Sequence, residues 1–410
     1  MQNFDIAIVG GGIVGLTTAL AIRKLTSLTV AVIEPQPLNE LSDSPQVRVS
    51  AINYASKQLF TNLGVWQHIL AQRSQAYQNM HVWDKDGFGH LDFGHTDMPQ
   101  SAASDGALGH IIENDVIRNC LHQLASQDNG ISFYHDCLTH IGQSDSQVFL
   151  SFNEQQPIIA NMVVGADGAN SWVRKQLDMP LTFRDYDHHA VVATVQCSQG
   201  HQSTAWQVFL DSGLLAFLPL FEQDKCSIVW SLPPEQADAI KALDAAEFNK
   251  KITAASDGKL GQISLCSERV SFPLTMRIAR EFVNNRVVLL GDAAHTIHPL
   301  AGQGVNLGLV DVAAFAQTIC ESIDNDKPLN DPQRLAQFGR WRKSDASDMI
   351  MAMEAIKQGF GLQQSVPKFL RGVGMSVINN ISPVKQLLIK QAMGQTDNLP
   401  ALSKYQDPLA

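Results

Sequence analysis

Six residues near the start of the chain, Gly10-Gly11-Gly12-Ile13-Val14-Gly15, have the types and spacing to hold a pyrophosphate. Gly10 and Gly12 let the backbone turn tightly and approach a phosphate, and Gly15 lets the following helix pack close to the preceding strand. The N-terminus of that helix supplies free N–H groups and a partial positive charge to the anion. Glu34 follows nineteen residues after Gly15, where a carboxylate can accept both hydroxyls of a ribose. A bare GxGxxG is weak evidence. With strand, helix and acid in register it reads as dinucleotide binding, without separating NAD from FAD.

Two later segments carry the same kind of chemistry. One is Gly165-Ala166-Asp167-Gly168-Ala169-Asn170-Ser171, ending in Arg174. The other is Gly291-Asp292-Ala293-Ala294-His295, continuing through Pro299 to Gly302-Gln303-Gly304-Val305-Asn306. Asp292 closes an apolar strand, at the carboxyl end where open α/β sheets bind ligands. There it serves a hydroxyl-bearing ligand or, alternatively, caps the next helix. Gly302-Gln303-Gly304 opens a helix that continues through Leu307, Val310 and Ala314. Arg48, in Gln46-Val47-Arg48-Val49-Ser50-Ala51, offers a permanent charge that forks onto phosphate.

The elements that must position these residues are legible from periodicity. Ile6–Val9, Val30–Ile33, Met162–Val164 and Val287–Leu290 are apolar throughout, as strands of a parallel sheet covered on both faces must be. A helix is expected over Thr17–Lys24. From Asp187 to Pro273 the text alternates, as in His189–Val195 and Cys226–Trp230, which reads as antiparallel sheet. The expected division is a discontinuous nucleotide-binding domain (1–75, 105–180 and 274–354), a sheet domain (76–104 and 181–273) and a C-terminal helical region (355–410). Histidines 188 and 189 are adjacent, so on a strand at most one enters a pocket.

Composition excludes several classes. A net charge of −10 argues against nucleic acid as a partner. Six cysteines without a CxxC fit a reducing compartment, with no metal site and no disulfide framework. The N-terminus lacks a basic leader and no apolar run approaches the ~18 residues of a membrane span, so a cytoplasmic protein is expected. The stretch 355–396 holds five basic residues and no acidic one. Phe369, Leu370, Val373, Val377 and Ile378 recur there at helical spacing, weakened by Gly372 and Gly374. Peripheral contact with an anionic membrane or a lipid carrier is one expectation for it. The alternative is helices packed over the nucleotide-binding domain.

Taken together and in this order, the three glycine motifs resemble the para-hydroxybenzoate hydroxylase class of FAD-dependent aromatic monooxygenases, over essentially the whole chain. The resemblance implies an α/β fold: a Rossmann-like FAD-binding domain with an inserted antiparallel-sheet substrate domain and C-terminal helices. It implies non-covalent FAD, held by Gly10, Gly12, Ile13, Val14, Gly15, Glu34, Arg48, Asp167, Gly291, Asp292, Pro299, Gly302, Gln303, Gly304 and Asn306. NAD(P)H would act as a transient reductant and O2 as co-substrate, with a flavin C4a-hydroperoxide hydroxylating the ring. No side chain is assigned as catalytic. In such relatives the matching aspartate holds a ribityl hydroxyl, and the helix opened by Gly302-Gln303-Gly304 points at the flavin. Asp167 and Arg174 would lie near the pyrophosphate and the reductant's path, although Arg174 reads equally well as a solvated helix residue. Asn114 stands where many relatives have arginine. Phe217-Leu218-Pro219-Leu220 and Phe272-Pro273-Leu274 are candidate walls of a dry pocket, or plain core.

Leu63-Gly64-Val65-Trp66, Val82-Trp83-Asp84-Lys85-Asp86 and Asp185-Tyr186-Asp187-His188-His189-Ala190 resemble the ubiquinone-biosynthesis branch, nearest to hydroxylases of a 2-polyprenylphenol. The implied substrate is a prenylated phenol and the implied setting a ubiquinone-biosynthesis complex. A small soluble aromatic substrate, or a non-catalytic flavin-binding subunit, stays open as an alternative.

Overall fold

The computed structural model describes residues 1–42, 45–85, 87–94, 97–98, 106–297, 304–361, 365–395 and 398–405. The apolar runs form its first sheet. Val287–Leu289, Ile158–Gly165, Gln2–Val9, Val30–Ile33 and Ile131–Tyr134 lie side by side in that order, all parallel. Ile6 and Ile8 are fully buried among the helices Ile13–Leu25 and Gly304–Asp324 on one face. Ala7 and Val9 pack into a second cluster on the other. Burial of each large side chain contributes about 1.5–3 kcal/mol, which is why these strands tolerate no polar alternation. The first helix begins at Ile13, earlier than the sequence reading placed it, with Gly12 as its cap and no side chain satisfying its N–H groups.

The alternating region forms a nine-stranded sheet built around the long strand Leu181–Cys197. Its pairings are antiparallel apart from Thr204–Leu210 with Asn79–Asp84, which run parallel. The strand Val270–Ala279 runs through the boundary expected at 273/274, and His295–Thr296 joins its edge, so the two domains share strands. One face is covered by helices Pro234–Ala242 and Ala245–Ala255, which bury Val191, Ala193 and Val195. The opposite face meets a three-stranded sheet of Val49–Ile52, Gly109–Glu113 and Ser74–Tyr77.

At the C-terminal end, helices Pro332–Gly361, Ser365–Asn380 and Ser382–Ala392 follow one another. Helix Ser365–Asn380 covers the edge strand His90–Gly94 of the larger sheet, whereas Ser382–Ala392 packs on Met98, Leu108 and Tyr54, and the Met393 carbonyl at its end accepts the Ala55 N–H of the nucleotide-binding domain at 3.2 Å. Gly372 explains itself here. A Cβ on it would stand 2.7 Å from the Phe88 ring, and a Cβ on Gly89 would stand 2.9 Å from the Gly372 Cα. The chain then returns through Ala401–Ser403 to the helices Tyr54–Asn62 and Gly304–Asp324.

Candidate active site

Three glycine-bearing turns, more than a hundred residues apart in the chain, meet at the carboxyl ends of the parallel strands. Gly10 adopts φ +112°, and a Cβ there would stand 2.3 Å from the Ala166 carbonyl oxygen. Only glycine lets the first and second turns touch. A Cβ on Gly15 would lie 1.9 Å from the Gly10 carbonyl oxygen, so the helix closes directly onto the turn. Gly291, at φ +58°, packs against Val14, and Gly308 packs against both Gly291 and Val14. Around this contact Gly12, Gly168 and Gly304 face open space, with nothing within 4 Å of where a side chain would begin. Two helix N-termini, at Ile13 and Gly304, open onto that space. The arrangement fits an anionic, extended ligand at backbone distance.

Glu34 stands beside the first turn. Its Oε2 accepts the Gly11 N–H at 2.8 Å and its Oε1 accepts the Gln36 N–H at 3.0 Å. Each oxygen keeps capacity for a further donor. Arg118, which the sequence reading missed, donates from Nε to the Gly11 carbonyl at 2.9 Å and lies 3.7 Å from Glu34. It fixes the turn from outside. A lone arginine on the helix Asn114–Ala125 carries no spacing signal that could have marked it.

Asp292 lies in the short 3-10 turn Gly291–Ala293, where the cap position is Leu290 and no side chain makes a capping bond. The alternative of a helix cap is therefore not what the residue does. Its side chain is open to solvent, yet desolvation by the protein around it raises its carboxyl above the ordinary carboxylate range, against the pull of His295 and Arg277. A carboxylate held at some cost beside three converging turns is a candidate binding group.

The turn bearing Asp292 rests on a buried ionic cluster that the sequence reading also missed. Asp311 Oδ2 accepts the Gly291 N–H at 3.0 Å and contacts His295 Nε2 at 2.6 Å. Its Oδ1 accepts Arg342 Nε at 2.7 Å, and Arg342 also pairs with Asp345. Asp311 is 1% exposed and Arg342 not at all. Burial alone would raise the Asp311 carboxyl, but His295 and Arg342 outweigh it and hold it below its ordinary range. The available signal was a lone acid inside the apolar run Leu307–Ile319, since such a charge must find a buried partner.

Asp167 and Arg174 act on the second turn. Asp167 Oδ2 accepts the N–H groups of Trp172 and Val173 at 2.7 and 3.1 Å, while its Oδ1 is buried without a partner among the described residues. Arg174 is buried rather than solvated: its guanidinium donates to the carbonyls of Ala293 and Ala169 at 2.7 and 2.8 Å, tying the second turn to the third. Asn306 likewise spends its side chain on the framework, donating to Ala51 O at 2.7 Å and accepting from Asn53 N–H at 3.1 Å. Pro299, Gly302 and Gln303 lie outside the described residues.

Arg48 reaches across to the larger sheet, its guanidinium 4.8 Å from the centroid of the Phe272 ring. Its loop is fastened by Glu113, which is 4% exposed, pairs with Arg73 at 2.9 Å and accepts the Gln46 N–H at 2.9 Å. Asn114 has a framework role. Its N–H donates to Arg48 O at 3.1 Å and its side-chain oxygen accepts the Ser50 hydroxyl at 2.7 Å.

Beyond Arg48 the two facing sheets pack apolar side chains against each other. Leu218 and Leu220 meet Ala51, Ile111 and Val49 across the interface. Leu274 joins Tyr186 and Ala190 beside them. Phe217 points the other way into the helix-covered core, so the expected wall is divided by the strand's alternation. Tyr77 borders this region, and burial pushes its phenol to about 12, keeping it protonated at any working pH. At the bulge between Asp185 and His188, the His188 ring lies 3.0 Å from the Ser231 hydroxyl.

Residues 3–351 match the family model described as the FAD binding domain. "Ubiquinone biosynthesis monooxygenase COQ6, mitochondrial" of Drosophila melanogaster is 32% identical over 96% of this chain and 90% of its own length. "3-demethoxyubiquinol 3-hydroxylase" of Escherichia coli is 31% identical over 96% of this chain and 99% of its own. Among solved structures, p-nitrophenol 4-monooxygenase PnpA from Pseudomonas putida superposes with a TM-score of 0.76 at 17% identity, over 96% of this chain and 99% of its own. That likeness is one of fold.

Proposed function

This chain belongs to the FAD-binding-domain family and is an FAD-dependent monooxygenase, and from that premise we propose that it hydroxylates the aromatic ring of a polyprenylphenol in ubiquinone biosynthesis. The observation that carries the reading is the meeting of three glycine turns beside an apolar seam between two facing sheets, which we read as the wall of the substrate chamber. FAD, when bound, supplies the redox and oxygen-activating chemistry, with NAD(P)H as transient reductant and O2 as co-substrate.

The chain's own residues do the rest. Gly10, Gly12 and Gly15 bring backbone N–H groups of the helix opened by Ile13 and Val14 to the pyrophosphate, and Glu34 accepts ribose hydroxyls. Gly291 shapes the turn from which Asp292 accepts a hydroxyl of the ribityl chain. The N-terminus of the helix at Gly304, reached through Pro299, Gly302 and Gln303, favours negative charge on the reduced ring by about 0.3–1 kcal/mol. Asp167 and Asn306 hold the turns at this distance, and Arg48 adds a fixed positive charge where cradle and chamber meet. Leu218, Leu220 and Leu274 orient an apolar phenol and exclude water from it. A long tail suits such walls better than a small soluble aromatic does, which favours a lipid substrate.

Lipid extraction from a deletion strain tests the proposal. Loss of the quinone with accumulation of a polyprenylphenol is expected. Accumulation of a demethoxyubiquinol would move the enzyme to a later ring position. Unchanged quinone levels would refute the pathway.

A further inference from the structure

The C-terminal helix pair is apolar on two sides. Inward, Ile389 and Met393 bury with Met98 and Leu108, and Met375 closes on Gly89. Outward, Val373 and Val377 stand on the first helix, Ile381 in the link that follows it, and Val384, Leu387 and Leu388 on the second. All six are exposed, Leu387 at 64% and Val377 at 48%. A helix of a soluble protein turns charged residues to the outside; these turn valine, leucine and isoleucine.

The sequence of this region carries charge of one sign. Residues 355–396 include Lys357, Lys368, Arg371, Lys385 and Lys390 and no acid, in a chain of net charge −10. Lys385 is turned inward onto Asp97 at 2.8 Å, while Lys390 is exposed. No helix among the described residues is long and apolar enough to cross a membrane. An apolar helical face set in positive charge is what lies on, rather than across, a bilayer.

The inward side also leads to the chamber. The cluster of Met98, Leu108, Ile389 and Met393 packs against Tyr54, Tyr77, Met80 and Phe93. Tyr77 packs equally against the chamber walls Leu218 and Leu220. Apolar side chains are therefore continuous from the exposed helix face to the substrate walls.

We propose that the helix pair Ser365–Asn380 and Ser382–Ala392 is a docking surface for an anionic lipid bilayer, and that the prenylated substrate enters the chamber from this side. The second half rests on the lipid-substrate reading above; the first does not. An anionic headgroup layer fits better than a second copy of the same face, because two copies would set like charges against each other.

The test uses the full-length holoprotein and a double variant, Val377→Glu with Leu387→Glu. Both positions are exposed, so folding and bound flavin should persist, checked by Tm and absorbance. Binding is read by flotation with substrate-free vesicles of phosphatidylcholine, with and without phosphatidylglycerol. Wild type should favour the anionic vesicles and weaken with salt, and the folded variant should lose at least tenfold in binding. Equal binding of wild type and variant, or no preference for anionic vesicles, overturns the docking surface. A wild-type dimer that the variant converts to monomer, with no change in vesicle binding, overturns it in favour of self-association. Turnover of a short-chain phenol in detergent, equal in both proteins, separates failure of docking from failure of the substrate reading.

Discussion

The glycine cradle and the proposed substrate chamber adjoin each other but are held by different physics. In the cradle the contacts are backbone against backbone: Gly10 on Ala166, Gly15 on Gly10, Gly308 on Gly291. Behind them stands a buried ionic cluster around Asp311. The chamber is made of leucine, valine, alanine and isoleucine from two facing sheets. Directional contacts at such close approach admit few alternatives, whereas apolar packing accepts any filling of similar volume. One fold can therefore keep its cradle and change its substrate, as relatives named for different activities illustrate.

Breaking the cradle's support should have the largest effect. Asp311→Asn leaves buried Arg342 with only the partly exposed Asp345 as counter-charge and should cost up to about 3–5 kcal/mol, with loss of flavin as the Gly291 turn loosens. Denaturant unfolding and flavin absorbance check it; wild-type values for both would show that the cluster does not support the turn. The pH dependence has a definite sign. Because the folded Asp311 carboxyl lies below its ordinary 3.8, its stabilisation is present above that value and is lost as pH falls through the lower folded pKa. The Asn variant should lack this acid-side loss.

The chamber should respond more mildly. Leu218→Met keeps the volume of the wall and should cost less than about 1.5 kcal/mol, with flavin retained and KM for the phenol altered. Release of flavin from this variant would mean that the two regions are not separable.

Asp292→Asn should have the smallest effect on stability and a clear one on binding. Its raised carboxyl makes ionisation unfavourable in the fold, so the native state loses stability as pH rises from 3.8 toward the folded pKa, and the penalty persists at neutral pH. The amide removes that penalty. The flavin-free variant should melt at or above the wild-type apoprotein while binding FAD more weakly, as calorimetry and fluorescence titration would show. A lower Tm with unchanged FAD affinity would make Asp292 a framework residue.

The parallel strands, the glycine turns and the antiparallel insertion were legible because each is a local pattern: an unbroken apolar run, a glycine spacing, an alternation. Arg174 was not, because its burial depends on Ala293, which lies 119 residues away in the sequence. Asn114 was equally opaque. Its partner Ser50 is chosen by strand register, and no residue type announces register.

The sequence by itself determined where the backbone must bend and come close, since only glycine reaches φ +112° or leaves room for a carbonyl at Cβ distance. It also determined the sign of the charge along the C-terminal helices. Only the tertiary structure decided which charges are buried together, which of Phe217 and Leu218 faces the seam between the sheets, and that helix Ser365–Asn380 covers the sheet edge. Those outcomes depend on contacts between distant segments, whose energies come from packing and desolvation and are set only once the chain has folded.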